Sequence, residues 1–238
     1  MPKQYDIKEV YPNSPLVEVV CEIRFPEELS IICRTDEFYD KIRDNYPYIL
    51  VPQKDGLLAG ALPTYRFENQ DQNSGIMLAI NRFSYYEKEY SGHKPFIKEF
   101  IRLTKIFGET FTLKLVNRLG WRYINAIPFT REDSIVPLQQ FINFDLNLPG
   151  EVSKKYENFS FTFISRVTNG TITTKIESVA RSDEQQEAIL LDFDFANVKE
   201  LTFSNIRDKV NEAHNQARNL FENYITDEYR QYLKGETI

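Results

Sequence analysis

Apolar and polar residues alternate through the middle of the chain, across residues 111–127. The odd positions carry the apolar side chains of Phe111, Leu113, Leu115, Leu119, Trp121, Tyr123 and Ile127. Because successive side chains of a β-strand point to opposite faces, this period predicts a strand whose odd face lies in the core. Arg118 and Arg122 then share the other face, unless a bulge at Gly120 reverses the alternation after it.

Two other stretches repeat apolar residues at helical spacing. The first begins at Pro95 and is expected to end at Gly108. Its apolar stripe consists of Phe96, Phe100, Leu103 and Phe107. The second covers residues 204–224, where small alanines at two apolar positions favour a helix that packs on a sheet over a coiled coil. A break at Thr226 predicts a short final helix after it.

The rest of the chain consists mainly of short runs rich in β-branched and aromatic residues, separated by turn residues. Strands are predicted at residues 16–25, 48–51, 64–68, 76–81, 83–87, 141–148, 158–166, 171–179 and 188–195. Thr35 and its two acidic neighbours predict the start of a further helix, which Pro47 ends. Asn169 and Gly170 predict a type I′ turn. The short connections favour antiparallel pairing.

The chain divides into two halves, residues 1–129 and 130–238, at a polar, proline-containing bridge. Each half places several strands before an amphipathic helix, although no residue-level repeat is visible. We therefore expect an α+β protein that forms one compact unit. Its curved, mainly antiparallel sheet is expected to be covered by two long helices, with pseudo-symmetric halves in the style of helix-grip or saddle-like folds.

Composition and charge narrow the class of protein. The 238 residues are 42% hydrophobic, which is enough for a substantial core. The net charge is -6 and the basic residues are scattered, which disfavours binding to duplex nucleic acid or to a membrane surface. Two cysteines without a metal-binding spacing, and no secretion signal or span of membrane length, predict a cytoplasmic protein with reduced thiols.

Arg118 and Arg122 are the first candidates for ligand binding. Four residues apart on one strand, they would stand about 13 Å apart, a spacing that suits two anionic groups or one extended ligand. Asn125 is a candidate third contact. The alternative is that each arginine pairs with a neighbouring carboxylate, since the chain contains 35 acidic and 29 basic residues.

Asp192 and Asp194 are candidate metal ligands. They share the polar face of the predicted strand at residues 188–195, about 6.6 Å apart, and could hold Mg²⁺ together with a phosphate substrate. The alternative is an ordinary charge pair across a hairpin, which would bring Lys175 and Thr173 opposite them.

The other chemical groups indicate no complete catalytic set. His214 borders the apolar stripe of the last long helix, where a packed histidine is expected, and His93 is expected to be exposed. Phosphate-binding glycine loops, nucleophile elbows and the H-E-x-x-H zinc motif do not occur. The 18 Phe and 14 Tyr fall mostly on apolar phases, which favours core packing over base stacking. We expect no cofactor.

Three segments together resemble a sporadically distributed prokaryotic family of uncharacterised proteins. They are a Pro-Leu-x-Glu strand at residues 13–25, a G-x-R-Y-I-N motif at residues 119–127, and a Leu-Asp-x-Asp strand with a His-containing helix at residues 190–225. Trp121 departs from the family's usual leucine. The resemblance runs nearly end to end and implies no settled activity, only an association with mobile elements in toxin-antitoxin or phage-defence settings.

Three functions follow as hypotheses. The first is a non-catalytic interaction or regulatory protein that binds another protein, or a second copy of itself, through a sheet edge or the C-terminal helix. The second is a pocket for a small anionic ligand or nucleotide at Arg118, Arg122 and Asn125. The third is a metal-dependent enzyme that acts on phosphodiester or nucleotide substrates through Asp192 and Asp194.

Overall fold

The computed structural model describes residues 10–51, 62–145, 157–180, 186–197 and 199–236. Its strands are β1 (Leu16–Arg24), β2 (Tyr48–Leu50), β3 (Tyr65–Glu68), β4 (Ser74–Ala79), β5 (Arg82–Glu87), β6 (Leu115–Val116), β7 (Arg118–Phe129), β8 (Ser160–Val167), β9 (Gly170–Ala180), β10 (Glu187–Asn197) and β11 (Leu201–Thr202). Its helices are α1 (Ser30–Asp40), α2 (His93–Phe111), α3 (Leu138–Phe141), α4 (Ile206–Tyr224) and α5 (Asp227–Leu233).

One large sheet organises the described residues. Its strands follow the order β2-β3-β4-β5-β1-β7-β10-β9-β8, and every neighbouring pair is antiparallel. The sheet is curved and does not close on itself. Strands β6 and β11 form a separate antiparallel pair. The α+β class and the large antiparallel sheet predicted from the sequence are confirmed.

Strands β1 and β7 form the centre of this sheet. Cys21 lies opposite Trp121 and Ile23 opposite Leu119 in a register that runs through Gly120 without a bulge. The alternation therefore continues along β7, with Trp121 fully buried and its neighbour on the opposite face. The predicted faces of this strand are confirmed.

Helices α2 and α4, each 19 residues long, lie against the buried face of the sheet. The predicted stripe of α2, with Phe96, Phe100, Leu103 and Phe107, is buried. Each buried phenylalanine contributes roughly 1.5–3 kcal/mol of transfer free energy. Ala213 and Ala217 are buried where α4 packs on β7 and β10, so the predicted packing of this helix on a sheet is confirmed. No helix within the described ranges is both long and apolar enough to cross a membrane.

The end of α2 was wrongly predicted. The helix continues past Gly108 and stops at Thr112, which adopts the left-handed conformation with φ of 56°. Gly108 instead admits the ring of Phe203, because a Cβ atom there would lie 3.1 Å from that ring. Phe111 consequently closes the helix, and β7 begins only at Arg118.

The predicted strand at residues 141–148 is also wrong over its described part. The chain forms the short helix α3 and then a single β-bridge between Ile142 and Ile225. Asn143 continues this contact, since its backbone N–H donates to the carbonyl of Tyr224 at 2.6 Å. Residues 146–148 lie outside the described ranges. This stretch therefore contacts the segment where α4 ends, before α5, instead of forming a strand of the sheet.

The turn between β8 and β9 differs from the predicted type. Its two central residues are Thr168 and Asn169, and of these Asn169 has a positive φ, 65°. Gly170 is already the first residue of β9. A Cβ atom at Gly170 would lie 2.3 Å from the carbonyl oxygen of Ala196. Glycine is therefore required here by the close approach of the neighbouring strand.

Helix α1 begins at Ser30, ahead of the predicted start at Thr35. Arg34 has non-helical angles, with φ of -126°, so the helix kinks there and resumes at the predicted residue. Phe38 is buried on this helix, which ends at Asp40, short of the predicted end at Pro47.

Candidate functional sites

The predicted charged residues lie together on the face of the sheet away from α2 and α4. In the β7–β10 register Asp194 stands opposite Arg122, and in the β9–β10 register Asp192 stands opposite Lys175 and Asp194 opposite Thr173. The predicted hairpin partners of both aspartates are confirmed. The sheet therefore brings Arg118, Arg122, Asp192 and Asp194 into one cluster, which we call the outer-face cluster.

Every member of the outer-face cluster pairs with another charged group. Arg122 grips Asp192 with two parallel bonds, from Nε at 2.9 Å and from Nη2 at 2.6 Å. Arg118 donates to Glu22 at 2.8 Å and reaches Asp194 at 3.4 Å. A planar guanidinium that meets both oxygens of a carboxylate makes a stronger and more directional pair than a single contact.

The electrostatics of the cluster agree with this pairing. Burial raises the pKa of Asp194, and Arg118 and Arg122 oppose the rise. The hydrogen bonds to Asp192 raise the pKa of Arg122, because they stabilise its charged form. With Arg24, which donates to Glu22 at 2.7 Å, three guanidinium groups face the three carboxylates of Glu22, Asp192 and Asp194, so the cluster carries no excess of positive charge.

A ligand at this cluster would have to displace one of these pairs. An anion would compete with Asp192 for Arg122, and Mg²⁺ would compete with Arg122 for Asp192. Within the part of the chain that the structure describes, no group of three or more His, Cys, Asp or Glu residues is placed to hold a metal ion. Anion binding at Arg118 and Arg122, and metal binding at Asp192 and Asp194, stay predictions.

Removing Arg122 tests the structural role of the cluster. Arg122→Ala leaves the carboxylate of Asp192, whose side chain is 8% exposed, without its bidentate partner. We expect the free energy of unfolding to fall by about 1–3 kcal/mol, measured by urea denaturation. Arg34→Ala breaks the exposed, solvent-screened pair with Glu37 and is expected to cost clearly less. Equal losses in the two variants would contradict the prediction.

Asn125 lies on the opposite face from the two arginines. Its side chain is buried, and its Nδ2 donates to the carbonyl of Leu191 at 3.0 Å. It points toward the helices, as does Tyr123 two residues before it. The structure therefore does not bring Asn125 into the same site as Arg118 and Arg122.

Near Asn125 lies a group of aromatic and imidazole side chains that the sequence did not reveal, here called the tyrosine–histidine array. The hydroxyl groups of Tyr90 and Tyr123 are 3.1 Å apart, and the Tyr123 hydroxyl lies 2.7 Å from Nδ1 of His214. The His214 ring stacks on His93 at 4.5 Å with an interplanar angle of 14°. The expectation that His93 is exposed is therefore wrong, since the stack half-buries it.

The array is held in an apolar setting. Trp121 packs edge-on against His214 at 5.4 Å, and its buried indole N–H has no hydrogen-bond partner in the structure. Burial raises the pKa of Tyr123 to about 12. Burial, together with the nearby His93 and Arg218, lowers the pKa of His214 to about 3. His214 is consequently neutral near neutral pH, and it joins Tyr123 and Tyr90 in a packed hydrogen-bonded chain.

A narrow cleft lies beside the array. Its polar lining comprises Tyr11, Ser14, Tyr90, Tyr123, Asn125 and Arg218. The free space between these side chains is about 30 Å³, and a single water needs about 10–15 Å³ measured in this way. The cleft thus has room for one or two waters, and we expect the array to serve the packing of α4 on the sheet.

Replacing His214 tests this assignment. The pKa of His214 in the native state, about 3, lies below its ordinary value of 6.5. Below pH 6.5 the imidazole therefore binds a proton in the unfolded chain but not in the native chain. The free energy of unfolding of the wild type should therefore decrease as the pH falls from 6.5, by up to about 1.4 kcal/mol per pH unit. His214→Asn lacks this contribution, while His93 and Arg218 remain. Urea denaturation at neutral and mildly acidic pH measures both slopes, and equal slopes would contradict the assignment.

The two edges of the large sheet differ in their protection. Within the described ranges β2 pairs with β3 alone and β8 with β9 alone. Strand β2 has only three residues and directly follows Pro47, and a short edge strand beside a proline is a common protection against edge-to-edge association. Strand β8 has eight residues, no proline and a single charge at Arg166. Ile164, near its middle, has 74% of its surface exposed.

Comparison with known proteins identifies no family for this chain. A scan against protein-family models gives no match, and a search of the curated proteins gives none either. The resemblance to a sporadically distributed prokaryotic family stays a prediction.

Proposed function

We propose that this chain is a non-catalytic interaction protein that binds a second copy of itself along strand β8. One observation carries the proposal: a long strand at the sheet edge presents an exposed isoleucine and lacks the proline or lysine that usually blocks edge pairing. The paired state of the outer-face cluster supports it, since those charges are already satisfied within the chain.

The register of β8 shows which backbone groups are available to a partner strand. The backbone N–H of Ser178 donates to the carbonyl of Phe159 at 3.0 Å, and the same register continues through β8. Odd-numbered residues of β8 therefore form the hydrogen-bonded pairs with β9. The N–H and C=O groups of Thr162 and Ile164 point away from β9, toward the edge.

A second copy fits this edge better than an unrelated strand. Two copies of β8 related by a twofold axis pair antiparallel, which closes the assembly and leaves no open filament. In the register centred on Phe163, Ile164 of each copy faces Thr162 of the other. Arg166 then faces Ser160, so the single charge of the strand meets no like charge.

The mass in solution tests the proposal. A dimer has twice the 28.1 kDa of one chain, and light scattering coupled to size-exclusion chromatography distinguishes the two states. A monomer at every concentration from micromolar upward would remove the proposal.

We also propose that the two halves are pseudo-symmetric, as in helix-grip or saddle-like folds. The proposed symmetric halves divide before β7 rather than at residue 130, so that β1 opens one half and β7 the other, and these two strands are neighbours at the sheet centre. Outward from β1 the order is β5, β4, β3 and β2, and outward from β7 it is β10, β9 and β8. Each half thus places its first strand beside its last, and a long helix, α2 or α4, follows that last strand.

A cytoplasmic location is part of the proposal. Cys21 and Cys33, the two cysteines of the chain, are both free thiols in the structure, one buried and one exposed. An exposed unpaired thiol is typical of a reducing compartment.

A further inference from the structure

We propose that a groove between α3 and α5 binds a short proline-rich peptide that carries a basic residue. The groove has a volume of about 550 Å³, within the roughly 300–1,000 Å³ of typical ligand pockets. It is lined by Pro128, Gln139, Gln140, Phe141, Glu228, Tyr229 and Tyr232. It lies apart from the outer-face cluster, the tyrosine–histidine array and β8.

Aromatic rings form the walls of the groove. Tyr229 and Tyr232 stack at 5.9 Å with an interplanar angle of 16°, and Phe141 meets Tyr229 edge-on at 5.3 Å. Tyr232 is 47% exposed, so its ring is accessible from solvent. Flat aromatic surfaces of this kind suit proline rings, which dock in aromatic-lined grooves as a polyproline II helix.

The polar groups of the groove favour a polyproline II peptide over an α-helix or a β-strand as the ligand. The hydroxyl groups of Tyr229 and Tyr232 and the amide of Gln139 make no hydrogen bond to any residue that the structure describes. A polyproline II peptide has unsatisfied backbone carbonyls that accept from such donors. An α-helix has already satisfied its carbonyls, and an added strand needs backbone edge groups that side chains do not offer.

Charge selects a basic residue in the peptide. Glu228 is exposed at the groove and has no ion-pair partner among the described residues. A lysine or arginine at one end of the peptide complements it. The net charge of -6 for the whole chain acts in the same direction over a longer range.

The groove is also held in shape before any ligand arrives. Thr226 ties the two helices together: its N–H donates to the carbonyl of Phe141 at 3.0 Å and its hydroxyl to that of Gln140 at 2.8 Å. The same hydroxyl accepts from the N–H of Tyr229 at 3.1 Å and caps α5. A preformed groove spares binding the entropic cost of ordering its walls.

Fluorescence anisotropy of a labelled Ala-Pro-Pro-Leu-Pro-Pro-Arg peptide with the full chain tests the proposal. We expect saturable binding that weakens about tenfold or more in Tyr232→Ala, because exposed aromatic anchors dominate such contacts. Tyr48→Ala removes a similarly exposed tyrosine at the opposite sheet edge and should leave binding unchanged. Glu228→Lys should weaken this peptide and improve binding of a version that ends in Glu, whereas Glu27→Lys, the same charge change far from the groove, should do neither.

Several outcomes would overturn the proposal. They are no saturable binding below about 1 mM, equal binding of a peptide with glycine in place of proline, and tighter binding of an amphipathic helical peptide. Equal weakening of peptide binding by Tyr48→Ala and Tyr232→Ala would also overturn the proposal. Loss of the dimer in Tyr232→Ala would show that the groove is covered by a second copy, which also overturns it. The retention of wild-type mass in that variant, with peptide binding lost, supports it.

Discussion

Ile164→Lys is expected to convert the proposed dimer of this chain into a monomer. The substitution leaves the β8–β9 ladder intact, because the backbone groups of residue 164 point away from β9. It places two like charges on neighbouring diagonal positions of the paired β8 strands, where they repel. Since the symmetric interface contains the change twice, a loss of about 1.4 kcal/mol per copy weakens the dimer about a hundredfold.

Light scattering over a dilution series measures the change in mass. Three further variants test whether the effect arises from pairing at the β8 edge. Ile164→Thr keeps a β-branched side chain and should keep the dimer. Ile164→Pro removes an outward N–H without breaking the bond to β9, so it should also give a monomer. Ile49→Lys charges the opposite edge and should have no effect. If Ile49→Lys rather than Ile164→Lys dissociates the dimer, β2 is the interface and the assignment to β8 fails.

Glu222→Ala is expected to lower the free energy of unfolding by about 3–5 kcal/mol. The Glu222 side chain is 1% exposed and accepts from Tyr11 at 2.9 Å, Arg218 at 3.0 Å and Arg230 at 3.3 Å. Without it the buried guanidinium of Arg230 loses its buried carboxylate partner, whereas its pair with Asp227 at the surface and its bond to the backbone carbonyl of residue 222 remain. Leaving a buried charge without its buried partner lowers the free energy of unfolding by more than the lost hydrogen bonds themselves contributed.

A matched control lies on the same helix. Glu212 pairs with Lys209 at 2.7 Å in a more exposed setting, and Glu212→Ala is expected to cost less than about 1 kcal/mol. Urea denaturation of both variants measures the difference. Glu222→Gln keeps the shape and part of the hydrogen bonding and should fall between them. A Glu222→Ala loss no greater than that of Glu212→Ala would contradict the account of the buried network.

The fold was predictable where one period ran over a whole element. The two-residue alternation in β7 and β10 gave the correct faces for Trp121, Arg122 and both aspartates, because one side of each strand is buried along its length. The prediction failed where a tertiary contact overrode local preference. Gly108 ends no helix, since Phe203 from a distant part of the chain packs on it.

The sites were less predictable, because they depend on strand order. Pairing of the arginines with carboxylates was foreseen as an alternative from composition and the strand faces. The stack of His93 on His214 was not, since it joins the first turn of α2 to the middle of α4. The exposed edge at β8 depends on the position of this strand at the end of the sheet. The groove depends on α3, a helix in a segment for which the sequence predicted a strand. Neither fact is contained in a local sequence pattern.

The central pairing of β1 with β7 constrains how the chain is made. β1 leaves the ribosome about a hundred residues ahead of β7, which corresponds to roughly 5–20 s of translation. During that interval β5 emerges and pairs with one side of β1, while the other side, with its apolar neighbours Val19 and Ile23, waits for its partner. The pairing of β1 with β7 therefore forms before that of β7 with β10, and until then the partial sheet exposes an unpaired, aggregation-prone edge.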